Sequence, residues 1–289
     1  MKLNYIVGLS FVLMGASSAL AGISEHPYPA IMYEHTVEEK PAAQQIFVAT
    51  IDLSKPGVMV RVSRGGADPD GDGPWQTTLM QPTKVAEREH FDVVINGDFF
   101  SHANGKDAEG AAAQKEFKAN AMGAVDGPAE TDGVVWAKSE KEARPFFYMD
   151  VNGKPGIGKG KEPPADARQV VAGSHVLVRA GKNVAPADES SKFAKGPHPR
   201  TAVGIGNGGK TLFLVVVDGR TKTSKGMSLR ELAEEFVKLG AEEAINLDGG
   251  GSSVLAIRDP GTHKMVILNH PSDGKERSVG DVLGVKVGG

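Results

Sequence analysis

The sequence predicts an α+β fold: a single domain around a twisted, mixed β-sheet, with a few packed helices and long surface loops. Three observations lead there. Short β-branched runs dominate the chain, one well-capped helix and two lesser candidates interrupt them, and strands and helices do not alternate regularly. The 289 residues contain no cysteine, so there are no disulfides and no thiolate chemistry. Stability must come from burial, which a chain of this length can supply within one large domain.

The chain opens on "MKLNYIVGLSFVLMGASSALAG". Lys2 gives a positive start, Ile6 to Met14 an apolar run too short to span a bilayer, and Ala19-Leu20-Ala21 a small-x-small cleavage site. These features predict a signal peptide over residues 1–21 and a periplasmic or secreted product with no membrane span. Loss of Lys2 takes the 33 Lys+Arg to 32 against 36 Asp+Glu, a formal charge of −4. A mildly acidic chain lacks the basic face that a nucleic-acid partner demands.

Residues 22–80 read as an N-terminal strand and loop segment packed on the core, and residues 81–289 as the domain that carries the chemistry. Gln45 to Val62 shows two β-branched runs around Lys-Pro-Gly, which predicts a hairpin. In the loop that follows, Asp68, Asp70 and Asp72 alternate like the start of a calcium loop. No Glu closes the pattern, and Pro69 and Gly71 suit a plain turn. A structural calcium here is the one cofactor suggested, and none is required for reaction. Pro82 to Glu89 reads as a short helix. "FDVVINGDFF" reads as a buried strand that stops at Asn96-Gly97-Asp98, placing polar groups at its end.

From Ser101 to His198 the chain is rich in Gly, Ala, Lys and Pro, with short strands such as "GVVWA", "PFFYMDV" and "SHVLVRAG". Ala111 to Ala119 is its one helix candidate. By composition, Gly153 to Ala167 and "APADESSKFAKGPHP" are surface loops, the first of them mobile.

"GIGNGGKT", Gly204 to Thr211, fits both G-x-x-x-x-G-K-[ST] and G-x-G-x-x-G. A phosphate loop needs a helix directly after Lys-Thr, whereas Leu212 to Val217 is a continuous apolar run and "RTAVGI" precedes the glycines. The stretch is therefore a hairpin, and no nucleotide is expected there. Further on, Ser228 and Glu231 make an S-x-x-E capping box. Leu229, Leu232, Ala233, Phe236 and Val237 share a face, and Gly240 stops that helix. "AINLDGGGSSVLAI" then runs strand, glycine turn, strand.

Polar residues thus gather at strand ends: Asn96 and Asp98, Arg200, Asp218 and Arg220, Asn246 and Asp248. Gly249, Gly250 and Gly251, with Ser252 and Ser253, suit a nest of N–H groups for an oxyanion. Arg200 and Arg220 could grip phosphate oxygens bidentately. Two arginines and two or three aspartates suggest a phosphate-bearing substrate cleaved with carboxylate help. "DGR" and "DGGG" are also ordinary turn sequences, and Arg200 could be a structural bridge.

"VVINGDFF", "HPRTAVGIGNGGKTLFLVVVDGR", "GMSLRELAEEFVKLGAEEAINLDGGGSSVL" and "NHPSDGKERSVGDVLGV" resemble, in order and spacing, the phosphodiester glycosidase family. Many of its bacterial members are labelled exopolysaccharide-related. The resemblance covers most of Phe91 to Val287 and is sharpest over Pro199 to Leu255. It implies hydrolysis of the bond between a sugar's anomeric carbon and the phosphate of a sugar-1-phosphodiester, such as an N-acetylglucosamine-1-phosphodiester glycan. The products would be free sugar and a phosphomonoester.

Residue by residue, Asn96 and Asp98 match the family's N-G-x-x-F, Arg200 its P-R-T, and Asp218 and Arg220 its D-G-R. Asn246 to Ser253 match N-L-D-G-G-G-S-S, and Asn269, Asp273 and Arg277 a closing N-x-P-x-D-G-x-x-R. Asp248 then becomes the nucleophile or general base, with Asp98 or Asp218 as partner, and the rest of these residues bind substrate. Val254 stands where many relatives carry Thr, and the Asp-rich loop lies outside the matched core, so substrate preference does not carry across. Two other readings stay open: a metal-dependent phosphodiesterase whose Asp98, Asp218 and Asp248 hold a cation, and a non-catalytic envelope protein that binds a phosphorylated glycan.

Overall fold

The structure is a computed structural model that describes residues 19–39, 42–103, 117–139, 142–186 and 191–288. Residues 1–18 of the expected signal peptide and most of the Ala111–Ala119 helix candidate lie outside them. The described residues are 46% strand and 11% helix, so the fold is more β-rich than expected. Every strand pairing among the described residues is antiparallel, not mixed. Some neighbouring strands are joined by hairpins, which reverse the chain each time, and the others are brought together from distant parts of the chain.

The largest sheet has eight strands, in the order Ala19–Tyr28, Ile31–Glu38, Gln44–Asp52, Thr211–Val217, Arg200–Gly206, Ala241–Asn246, His175–Arg179, Lys182–Asn183. A five-stranded sheet runs Met265–Ile267, Leu255–Arg258, Val93–Asn96, Asp281–Lys286, Met59–Arg64. A second five-stranded sheet runs Val134–Ala137, Ala129–Thr131, Ala167–Ala172, Arg144–Asp150, Pro155–Gly160. Thr77–Thr78, Met122–Val125 and Phe100–His102 make a small fourth sheet.

One apolar core joins the three larger sheets. Phe47, Val203, Leu214 and Ile245 from the first, Val62, Ile95, Leu255 and Leu283 from the second, and Phe147 and Val171 from the third all meet in it. Strand Thr211–Val217 is apolar from Leu212 onward because it is covered on both faces. Leu212, Leu214 and Val216 enter that core, while Phe213, Val215 and Val217 pack under helix Leu229–Lys238. Helix Pro82–Glu89 covers the outer face of the second sheet through Val85 and Ala86 against Val94, Ala256 and Val282.

Helix Leu229–Lys238 forms as its sequence dictates. Ser228 accepts from the Glu231 N–H at 3.2 Å, and Glu231 returns a bond to the Ser228 N–H at 2.8 Å. Gly240 follows at φ +82°, in the left-handed region a helix stop favours. Strand Arg200–Gly206 pairs with Thr211–Val217 across a tight turn, as the hairpin reading of "GIGNGGKT" requires, and no helix follows Thr211. Gly204 is there for packing: a β-carbon on it would stand 2.6 Å from the Phe236 ring.

Two expectations fail. Gln45–Val62 is not a hairpin, because Gln44–Asp52 pairs with Ile31–Glu38 and Thr211–Val217 while Met59–Arg64 pairs with Asp281–Lys286. The Lys-Pro-Gly turn passes the chain between sheets instead of folding it back, so residues 22–80 supply strands to both. Nor is Gly153–Ala167 a loop throughout, since Pro155–Gly160 is an edge strand on Arg144–Asp150. Its glycines face aromatic rings: a β-carbon on Gly158 would clash with Phe146. Among the described residues no helix is long and apolar enough to cross a membrane.

Candidate active site

The strand ends that carry polar residues do converge. Asn96 and Asp281 close adjacent strands of the second sheet, and Asp248 follows Ala241–Asn246 of the first. Two bonds stitch these ends together: the Asp248 N–H donates to the Gly97 carbonyl at 3.0 Å, and Asn96 Nδ2 donates to the Asp248 carbonyl at 2.7 Å. Asn96 Oδ1 in turn accepts from Thr201 Oγ1 and the Val254 N–H. Asn96 therefore ties the sheets together and fixes the backbone beneath Asp248.

Around this seam stand the carboxylates of Asp98, Asp248 and Asp281. Asp98 is 1% exposed. It accepts from the Phe99 N–H at 2.8 Å and the Gly127 N–H at 2.7 Å, while its own N–H donates to Asp281 Oδ1 at 2.8 Å. Burial, then the negative charges of Asp281 and Asp126, push Asp98 well above the usual carboxylate range. Burial and the nearby Asp248 raise Asp281 to about 7, against the Asp98 N–H bond. Asp281 Oδ2 is buried with no partner among the described residues.

Asp248 is partly open to solvent. Burial of its carboxyl raises it to about 6, although the Ser252 hydroxyl, the Arg277 guanidinium and the Gly249 N–H all favour its charged form. The result is a carboxyl whose ionisation falls near 6, beside Asp281 at about 7 and an Asp98 that burial also pushes up. Such a split separates base from acid within one group.

The glycine run is a 3₁₀ turn, Gly250–Ser252, and not an open nest. The N–H groups of Gly250, Ser252 and Ser253 donate to Pro199, Gly249 and Gly250 carbonyls, so they are not free for an oxyanion. Gly250 sits at φ +63°. A β-carbon on Gly251 would collide with the Arg277 guanidinium and the Asp273 carboxylate that lie over it. The turn thus lets cations approach the backbone. Arg277 pairs with Asp273 at 2.7 Å, donates to Ser252 Oγ at 3.2 Å and lies 3.7 Å from the Phe117 ring centre. Arg220 is exposed, lies against Gly250, and has no side-chain partner among the described residues. These two arginines supply the positive charge at the site.

Arg200 spends most of its guanidinium on backbone carbonyls. It is 1% exposed, with Nε on the Met227 carbonyl at 2.8 Å and one Nη on the Phe193 and Gly196 carbonyls at 2.6 and 3.2 Å. Burial and then Arg220 pull it down to about 10. Asp218 is likewise committed, accepting from Asn269 Nδ2, the His270 N–H and, at 3.0 Å, His270 Nδ1. It holds Asn269, which bonds the Ser253 carbonyl and the Leu255 N–H, and so braces the strand after the glycine turn. Asn246 Nδ2 bonds Ser174 and the Leu247 carbonyl, while Ser253 Oγ is buried without a partner among the described residues.

Asp68 Oδ1 caps the N–H groups of Asp70 and Gly71, and its other oxygen faces Arg64. Asp70 accepts from the Trp75 N–H. Among the described residues no three His, Cys, Asp or Glu side chains gather as metal ligands do.

Two residues escaped the sequence reading. Asp281 begins a strand, and its signal was present: "GD" directly before an apolar run, the mirror of Asn-Gly-Asp at the end of one. Asp126 carried no local signal, because only the fold brings it beside Asp98 and Asp248.

The carboxyl groups of Asp98, Asp248 and Asp281 and the guanidinium groups of Arg220 and Arg277 thus stand around one seam. The sequence profile of the phosphodiester glycosidase family matches residues 89–286, and the chain belongs to that family. It is 40% identical over 83 residues to human N-acetylglucosamine-1-phosphodiester alpha-N-acetylglucosaminidase, a match that covers 29% of this chain and 15% of that protein. It is also 40% identical over 86 residues to the SPbeta prophage-derived uncharacterized protein YomE of Bacillus subtilis, covering 30% and 12%. The matched stretch is thus a small part of either relative. Among solved structures, the zebrafish N-acetylglucosamine-1-phosphodiester alpha-N-acetylglucosaminidase catalytic domain, auto-inhibited by its pro-peptide, shares the fold. Its TM-score is 0.63 at 19% identity, over 93% of this chain and 87% of that one.

Proposed function

We propose that this protein is an exported hydrolase that cleaves the glycosidic C–O bond of a sugar-1-phosphodiester, as the names of its human and zebrafish relatives describe for N-acetylglucosamine. The observation that carries the reading is the grouping of Asp98, Asp248 and Asp281, where burial raises all three carboxyls, Asp248 to about 6 beside Arg277 and Asp281 to about 7. A phosphomonoester leaves readily once its charge is offset, a task for Arg220 and Arg277 over the glycine turn. Asp248 then acts at the anomeric carbon as nucleophile or general base, and the Asp98–Asp281 pair holds the proton that returns to the leaving oxygen. The leader-like residues 1–21 and the family membership support an exported glycan enzyme of the periplasm or the cell exterior.

Product analysis on an N-acetylglucosamine-phospho-mannoside tests this, with and without EDTA. Free N-acetylglucosamine and a mannose phosphate support the reading. Sugar 1-phosphate, lost on chelation, would instead establish a metal-dependent attack on phosphorus.

A further inference from the structure

Beside the carboxylates lies a cavity of about 330 Å³ lined by Trp75, Ser101, Asp126, Lys138, Glu142 and Arg144 among others. That volume is at the small end for ligand pockets and suits a single ring better than a chain of sugars. The fold builds the cavity by one pairing. Strand Thr77–Thr78 pairs with Met122–Val125, and the Gln76 N–H donates to the Gly123 carbonyl at 3.0 Å, which brings the chain at Trp75 alongside the end of that strand, next to Asp126. The Asp-rich turn shapes the approach, since Asp70 accepts from the Trp75 N–H.

Trp75 gives the cavity a half-buried indole, and Asp126 with Arg144 at 2.9 Å gives it a partly exposed ion pair. An aromatic plane stacks on the C–H face of a sugar, while a carboxylate and a guanidinium side by side accept from and donate to neighbouring hydroxyls. The position matters as much as the chemistry. Asp126 precedes Gly127, whose N–H holds Asp98, and the Asp126 N–H is itself bonded to the Phe99 carbonyl at 2.9 Å. A ring in the cavity would therefore lie one residue from the anchor of Asp98.

The geometry points to a hexopyranose-binding subsite in this cavity, with Trp75 as the stacking platform and the Asp126–Arg144 pair as hydroxyl partners. Trp75 lies outside the stretch, residues 89–286, that the family profile matches, whereas Asp126 and Arg144 lie within it. Which half of the substrate fills it rests on the hydrolase reading; the binding itself does not.

The chain has two tryptophans, Trp75 and Trp136, so Trp136→Phe leaves Trp75 as the single indole reporter. The full chain with this substitution is titrated with N-acetylglucosamine, mannose 6-phosphate and inorganic phosphate while fluorescence is followed. A saturable change with a sugar and none with phosphate is expected. Response to N-acetylglucosamine assigns the cavity to the glycosyl half, and response to mannose 6-phosphate assigns it to the leaving half. Calorimetry on Trp75→Ala, with circular dichroism to confirm its fold, should show that sugar's affinity about fivefold weaker. Cleavage of the phosphodiester with no sugar response from Trp75 would overturn the subsite and leave the hydrolase reading intact. A sugar response without cleavage would do the reverse.

Discussion

At Asp248 a single carboxyl is pulled in two directions. Burial disfavours its charge while Ser252, Arg277 and Gly249 favour it, and the balance falls at about 6. Asp248→Asn keeps the shape and removes the charge, so turnover should fall by about a thousandfold or more while the melting temperature holds. kcat/KM measured against pH should rise as Asp248 ionises through about 6. It should fall again as the Asp98–Asp281 pair gives up its proton, with Asp281 near 7, giving a bell with both limbs belonging to the coupled group. At this scale the sequence was half legible. Asp98, Asp248 and Arg220 were readable as candidates because turn motifs follow apolar runs, and Arg277 entered only through the family's closing motif. Arg200 and Asp218 sat in the same motifs yet spend their hydrogen-bonding groups on structure, a difference that only their partners disclose.

The elements themselves divide by whether their signals are local. Helix Leu229–Lys238 was legible to its cap because the capping box, the apolar face and the glycine stop all lie within a dozen residues. Ser228→Ala should cost about 1 kcal/mol in a denaturant melt, and Phe236→Ala about 3 to 5 kcal/mol because the ring fills the space opposite Gly204. Gln44–Asp52 and Met59–Arg64 were legible as strands but not as members of different sheets. Their partners, Thr211–Val217 and Asp281–Lys286, lie far along the chain. The glycine turn is the element that joins fold to site. Gly251→Ala should push aside the Arg277–Asp273 pair and lower kcat/KM by about ten- to a hundredfold, with stability less affected.

For the molecule as a whole, the buried acids place function in tension with stability. Asp281 holds its proton to about 7 in the folded state, against about 4 in an unfolded chain. The folded state therefore binds more protons across that window, and the stability this confers is lost as pH rises from about 4 through 7. Asp281→Asn keeps an oxygen for the Asp98 N–H and removes the charge, so it should raise the melting temperature at about pH 8 more than at about pH 4. The three-sheet core that imposes this burial also makes the seam rigid enough to aim the carboxylates. The central claim is that those carboxylates attack carbon and not phosphorus. Hydrolysis of the N-acetylglucosamine-phospho-mannoside in water labelled with heavy oxygen, followed by mass spectrometry of both products, tests it most directly. The label should appear at the anomeric hydroxyl of the released sugar, and label in the phosphate would contradict the account.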